Sequence, residues 1–87
     1  MFTVYVLRSV EPYRYTGQCA DFSVRLKQHN TGSLGFWTKR GSDWVPTYLE
    51  SSVTRSEALA RERWLKSGIG RDYLATHEAV RLDRQPE

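Results

Sequence analysis

Phe2-Thr3-Val4-Tyr5-Val6-Leu7-Arg8-Ser9 and Arg14-Tyr15-Thr16-Gly17-Gln18-Cys19, joined through Glu11-Pro12-Tyr13, decide how this chain folds. The first run is dense in β-branched and aromatic residues and reads as a strand. It stays apolar on both faces, which places it inside a sheet rather than at an edge. The Pro-containing turn returns the chain as a shorter antiparallel partner, Arg14 to Cys19. Tyr5 and Tyr15 then fall on neighbouring strands, where their rings can meet on one face. Gly17, without a Cβ, lets a helix or a substrate backbone approach the sheet closely. The ordinary alternative for the two tyrosines is core packing with hydroxyls at the surface.

Downstream, Asp21 is a good N-cap for a helix over Phe22 to Asn30, closed by Gly32. Phe22 and Leu26, one turn apart, mark its core-facing side. Arg25 and His29 are also one turn apart and lie beside or within that side, while Lys27 and Gln28 take solvated positions. A Gly-, Ser- and aromatic-rich loop leads to a third strand, Trp44 to Glu50. Pro46 within it means that this strand begins late or lies at an edge. A helix opens at Thr54 and runs to about Ser67, where Gly68 and Gly70 stop it; Arg71 to Glu78 form a last short helix. The order β-β-α-β-α-α predicts an α+β fold: a small three-stranded antiparallel sheet flanked by helices. Residues 1–80 make one domain, and 81–87 form a C-terminal tail prone to fraying.

Within Thr54-Arg55-Ser56-Glu57-Ala58-Leu59-Ala60-Arg61-Glu62-Arg63-Trp64-Leu65-Lys66, Ala58, Leu59 and Leu65 define an apolar face. Glu62 falls near its middle. A carboxylate there must be paired, protonated or bound to a metal, because burying a lone charge is very costly. An internal ion pair with Arg25 is the structural alternative to a functional role. Glu57 has a simpler explanation, since Thr54 and Glu57 stand at capping-box spacing. Arg61 and Arg63 read as solvated.

Eighty-seven residues allow one modest core and no second one. Lys and Arg exceed Asp and Glu by 13 to 10, an excess that permits a nucleic-acid partner without requiring one. Lys39 and Arg40 follow Trp37 in a basic loop tip beside aromatics, which suits phosphate contact and base stacking. The alternative is a solvated loop whose Trp37 packs down. Cys19 is the only cysteine, so no intrachain disulfide forms, and it reads as a small, partly buried hydrophobe. No secretory leader, lipidation motif or membrane-spanning run is expected, and the expected compartment is the cytoplasm.

Val4-Tyr5-Val6 followed by Tyr15-Thr16-Gly17, with Arg25 and His29 on the next helix and Glu62 on a later one, resembles the GIY-YIG nuclease superfamily. The resemblance runs from Phe2 to about Leu74 and is nearest to short, single-domain bacterial members. The catalytic domain of the excision-repair incision nuclease belongs to the same superfamily. It implies that Glu62 is the sole protein ligand of one Mg²⁺ or Mn²⁺ ion, a hard cation commonly held by one carboxylate plus phosphate oxygens and waters. It implies Arg25 on the phosphate oxygens, a task that suits its planar, permanent charge. It gives water activation to Tyr5 or His29, with Tyr15 in support and Gly17 keeping the cleft open. Valines replace glycine and isoleucine around Tyr5, and Thr16 replaces isoleucine. The asparagine that larger members carry after the glutamate helix has no counterpart in 71–77, where Asp72 and His77 are the polar substitutes.

The implied activity is metal-dependent endonucleolytic hydrolysis of nucleic acid, DNA foremost, in repair or recombination. Specificity would come from nucleic-acid shape or a partner protein, and no membrane partner is implied. The competing reading is a catalytically idle nucleic-acid-binding module of the same fold. It leaves Glu62 unexplained, since a carboxylate repels phosphate unless a metal lies between.

Overall fold

A computed structural model describes residues 1–9, 13–31 and 43–78. β1 (Phe2–Arg8) lies between β2 (Arg14–Cys19) and β3 (Val45–Ser52), both antiparallel to it, in the order β2-β1-β3. α1 (Phe22–Thr31) follows β2, and α2 (Arg55–Lys66) and α3 (Gly68–His77) follow β3. The architecture is the expected α+β arrangement, with β1 central. The first connection is closed by Ser9, which donates its N–H to the Tyr13 carbonyl at 3.1 Å and receives the Tyr13 N–H on its hydroxyl. Glu11 and Pro12 of the expected turn, Gly32, and the basic tip with Trp37, Lys39 and Arg40 lie outside the described residues, as does the 81–87 tail.

Alternation along β1 divides the core in two, because successive side chains point to opposite faces of a strand. Val4 and Val6 pack with Ala58, Leu65 and Leu74 under α2 and α3. Tyr5 and Leu7 pack with Cys19 and Trp44 on the other face, bordered by Tyr15 and by Phe22 and Leu26 of α1. Cys19 is buried, and burial pushes its thiol pKa up, as fits a packing residue rather than a nucleophile. β3 is an edge strand, as Pro46 requires. Its register to β1 slips between Val6 and Leu7, opposite Tyr48 and Pro46, and leaves Thr47 as the extra residue of a bulge.

Two helix boundaries carry the geometry of the site. Thr54 and Glu57 form the capping box, with Glu57 N–H to Thr54 Oγ1 at 3.1 Å and Thr54 N–H to Glu57 Oε1 at 3.4 Å. Ser67 then ends α2 and caps α3, its hydroxyl accepting the Gly70 N–H at 3.2 Å. Gly68 and Gly70 therefore do not stop a helix; they open the next one, before Arg71. A Cβ at Gly70 would lie 2.0 Å from the Trp64 carbonyl oxygen and 2.5 Å from Leu65 Cα. The glycine is there because α3 turns back directly against the end of α2.

Candidate active site

Tyr5 projects from the middle of β1 into the face covered by α1, and it is fully buried. α1 delivers His29 to the same place, with His29 Nε2 2.9 Å from the Tyr5 hydroxyl. Tyr15 completes the group from β2, its ring centroid 4.6 Å from that of His29 and 6.1 Å from that of Tyr5. His29 is buried beside these rings, and its Nδ1 has no hydrogen-bond partner among the described residues. Burial, then the Arg25 guanidinium one turn earlier, pushes the His29 pKa down to about 4. Burial, then the neighbouring Tyr15, raises the Tyr5 phenol above its ordinary range, against a lowering by Arg25. Both members of the Tyr5–His29 pair are therefore neutral at pH 7. Arg25, half-buried, supplies the positive charge of this cluster.

Gly17 sits directly opposite Tyr5 in the β1–β2 register. A Cβ there would fall 2.8 Å from the Tyr5 hydroxyl and 3.0 Å from Tyr15 Cε2. The approach that the glycine permits is thus that of the two tyrosine rings themselves. Asn30, which no motif or spacing marks, holds the end of α1 to the start of β3. Its Oδ1 accepts the Trp44 N–H at 2.6 Å and its Nδ2 donates to the Trp44 carbonyl at 3.1 Å. That clamp fixes the turn carrying His29.

Glu62 lies on α2 between Ala58 and Leu65, with 19% of its side chain exposed. It does not pair with Arg25. Lys66, one turn on, donates to Glu62 Oε2 at 2.7 Å. Glu62 and the tyrosine cluster thus belong to opposite faces of the sheet, and the open edge of β2 is where those faces meet. An open cleft of about 290 Å³ lies between β2, the end of α2 and the start of α3, lined by Arg14, Tyr15, Thr16, Leu65, Lys66 and Arg71. Tyr15 of β2 and Lys66, the partner of Glu62 on α2, are both among its lining residues.

Among the described residues no group of three or more His, Cys, Asp or Glu converges on one point. A metal here has a single carboxylate to bind, so the donor set fits a hard divalent cation that keeps waters or takes phosphate oxygens, and not a zinc-type cage. The lysine does not preclude this, since an (i, i+4) pair whose lysine is half-exposed contributes little.

Other candidates are placed elsewhere. Asp72 is exposed, and His77 stacks on Tyr73 at 3.9 Å with its hydrogen bonds to Tyr73 and Thr76. Arg63 is solvated as expected, but Arg61 is not. It pairs with Glu50 at 3.1 Å and lies over the Trp64 and Tyr73 rings, part of the packing of α2 on β3 and α3. No helix among the described residues is long and apolar enough to cross a membrane.

The chain is 34% identical over 64 residues to the UPF0213 protein SERP0126 of Staphylococcus epidermidis, covering 74% of this chain and 78% of that one. The UPF0213 protein SAV0488 of Staphylococcus aureus is similar to the same extent. The solution NMR structure of the UPF0213 protein BH0048 from Bacillus halodurans superposes with a TM-score of 0.53 at 24% identity, over 87% of this chain and 84% of that one, a likeness of fold. A family profile described as the GIY-YIG catalytic domain matches residues 1–71, which span both tyrosine strands, α1 and all of α2. With that match over most of its length, the chain belongs to the GIY-YIG catalytic domain family, a family of nucleases.

Proposed function

We propose that this protein is a divalent-metal-dependent endonuclease that hydrolyses phosphodiester bonds in nucleic acid, with DNA as its first substrate and repair or recombination as its setting. The observation that carries this reading is the meeting at the β2 edge. Tyr15 and the partner of Glu62 line one cleft although they come from opposite sheet faces. Glu62 is the residue that would hold Mg²⁺ or Mn²⁺. The bound ion would supply Lewis-acid polarisation of the phosphate and stabilise the leaving oxygen.

The protein's own groups divide the remaining work. Arg25 faces the phosphate oxygens and meets the charge that builds on them, in a fixed orientation that costs no reorganisation. Tyr15, a residue of the cleft lining, is the tyrosine that we assign to orienting the attacking water. Tyr5 stands behind it, held by His29, and its buried phenol is too weak an acid to serve as a phenolate. His29, neutral at pH 7, holds the Tyr5 hydroxyl through Nε2 and so fixes the ring behind Tyr15. Gly17 lets these rings stack at that depth.

The test is incubation of end-labelled single-stranded and duplex DNA with Mg²⁺ or Mn²⁺, and with EDTA. Cutting that appears with metal and vanishes with EDTA is expected. Salt-sensitive binding with no cutting of either form would move the protein to the idle binding module.

A further inference from the structure

The cleft at the β2 edge holds more positive charge than its neighbours balance. Arg14 comes from β2, Lys66 from the end of α2 and Arg71 from the first turns of α3, and no carboxylate of the described residues lines the cleft. Behind Arg14 stands Glu78, whose carboxylate is buried but already committed. Arg8 grips it with two hydrogen bonds, at 3.0 and 2.7 Å, and the Thr47 hydroxyl donates to it as well. Arg14, paired with Arg8 across the strands, is left a long contact of 3.8 Å to the same carboxylate. Among the described residues Lys66 pairs with Glu62 alone.

We infer that this cleft seats the sugar–phosphate backbone next to the scissile bond, with Arg14, Lys66 and Arg71 as its phosphate contacts. The inference rests on the nuclease reading and adds a path for the strand. A backbone phosphate among three cations gains charge-assisted hydrogen bonds from Arg14 and Arg71. It also offsets the like charges of Arg8 and Arg71, which together with burial lower the Arg14 pKa. Leu65 gives the cleft an apolar wall for a sugar, and Tyr15 links the seat to the reacting centre. Lys66 ties the two events together. A phosphate that draws Lys66 into the cleft releases the Glu62 carboxylate.

The experiment measures binding without cleavage. Fluorescently labelled single-stranded and duplex DNA are titrated in EDTA with wild type, with Lys66→Gln/Arg71→Gln and with Arg63→Gln, across a salt series. Lys66, Arg71 and Arg63 are all exposed, so these variants keep the fold. The double variant should bind the preferred form at least about tenfold more weakly, with a salt slope smaller by about one to two. Arg63→Gln, with one charge lost outside the cleft, should stay within about twofold of wild type. The inference is overturned if wild type shows no salt-sensitive binding, if the double variant binds like wild type, or if Arg63→Gln loses as much. Because nothing is cut, a protein that binds this way but never cleaves would defeat the nuclease reading and leave the seat standing. An active nuclease indifferent to the double substitution would do the reverse.

Discussion

Tyr5 and Tyr15, both at the motif positions of one β hairpin, sit in different surroundings, and the nuclease proposal gives them different work. Tyr5 is fully buried with its hydroxyl on His29, whereas Tyr15 lines the cleft. Tyr15→Phe should leave the thermal midpoint nearly unchanged and reduce cleavage at least about a hundredfold. Tyr5→Phe should cost about 1–3 kcal/mol of stability, because it strands the buried His29 Nε2 without a partner. Denaturant melts and cleavage rates on the two variants check both statements. The converse pattern would exchange the roles of the two tyrosines. His29 was legible from the sequence as a residue facing inward. Its partner was not, since which strand tyrosine a helix histidine meets depends on how far the helix slides along the sheet.

At the scale of elements, β1 declares its central place by being apolar on both faces, and Pro46 declares β3 an edge. The join between α2 and α3 departs from the sequence expectation for a physical reason. Glycines after a helix usually terminate it, but here Ser67 serves as the end of one helix and the cap of the next. Only the packed pair of helices shows why residue 70 has no side chain. Gly70→Ala should therefore destabilise by at least about 3 kcal/mol, an overpacking cost raised by a backbone that cannot move aside. Urea unfolding measures it, with Gly68→Ala, where a Cβ meets nothing within 4 Å, as the tolerated comparison. Glu62 illustrates the other limit of sequence. Its place on a buried face was readable from helical spacing, yet Lys66 as its partner was hidden in an ordinary (i, i+4) pair.

Taken whole, the molecule is one sheet with a different core on each face. That arrangement makes its stability depend on pH through the α1 side. The unfolded His29 takes up a proton near its ordinary 6.5, but in the folded protein it does so only near 4. Between those values the unfolded chain binds more protons, so stability falls as pH drops through that window and is steady above it. Between about pH 7.5 and about pH 5 the loss should be about 2 kcal/mol, and His29→Gln should flatten it. Urea midpoints at the two pH values read this directly. The central claim is that Glu62 and Arg25, carried by helices on opposite faces, serve one reaction. The measurement that tests it most directly is single-turnover cleavage of end-labelled DNA with Mg²⁺ or Mn²⁺ by wild type, Glu62→Ala and Arg25→Ala, each checked for fold by circular dichroism. The account predicts metal-dependent cutting by wild type and at least about a thousandfold loss in each folded variant. Cutting at the wild-type rate by folded Glu62→Ala or folded Arg25→Ala would contradict it.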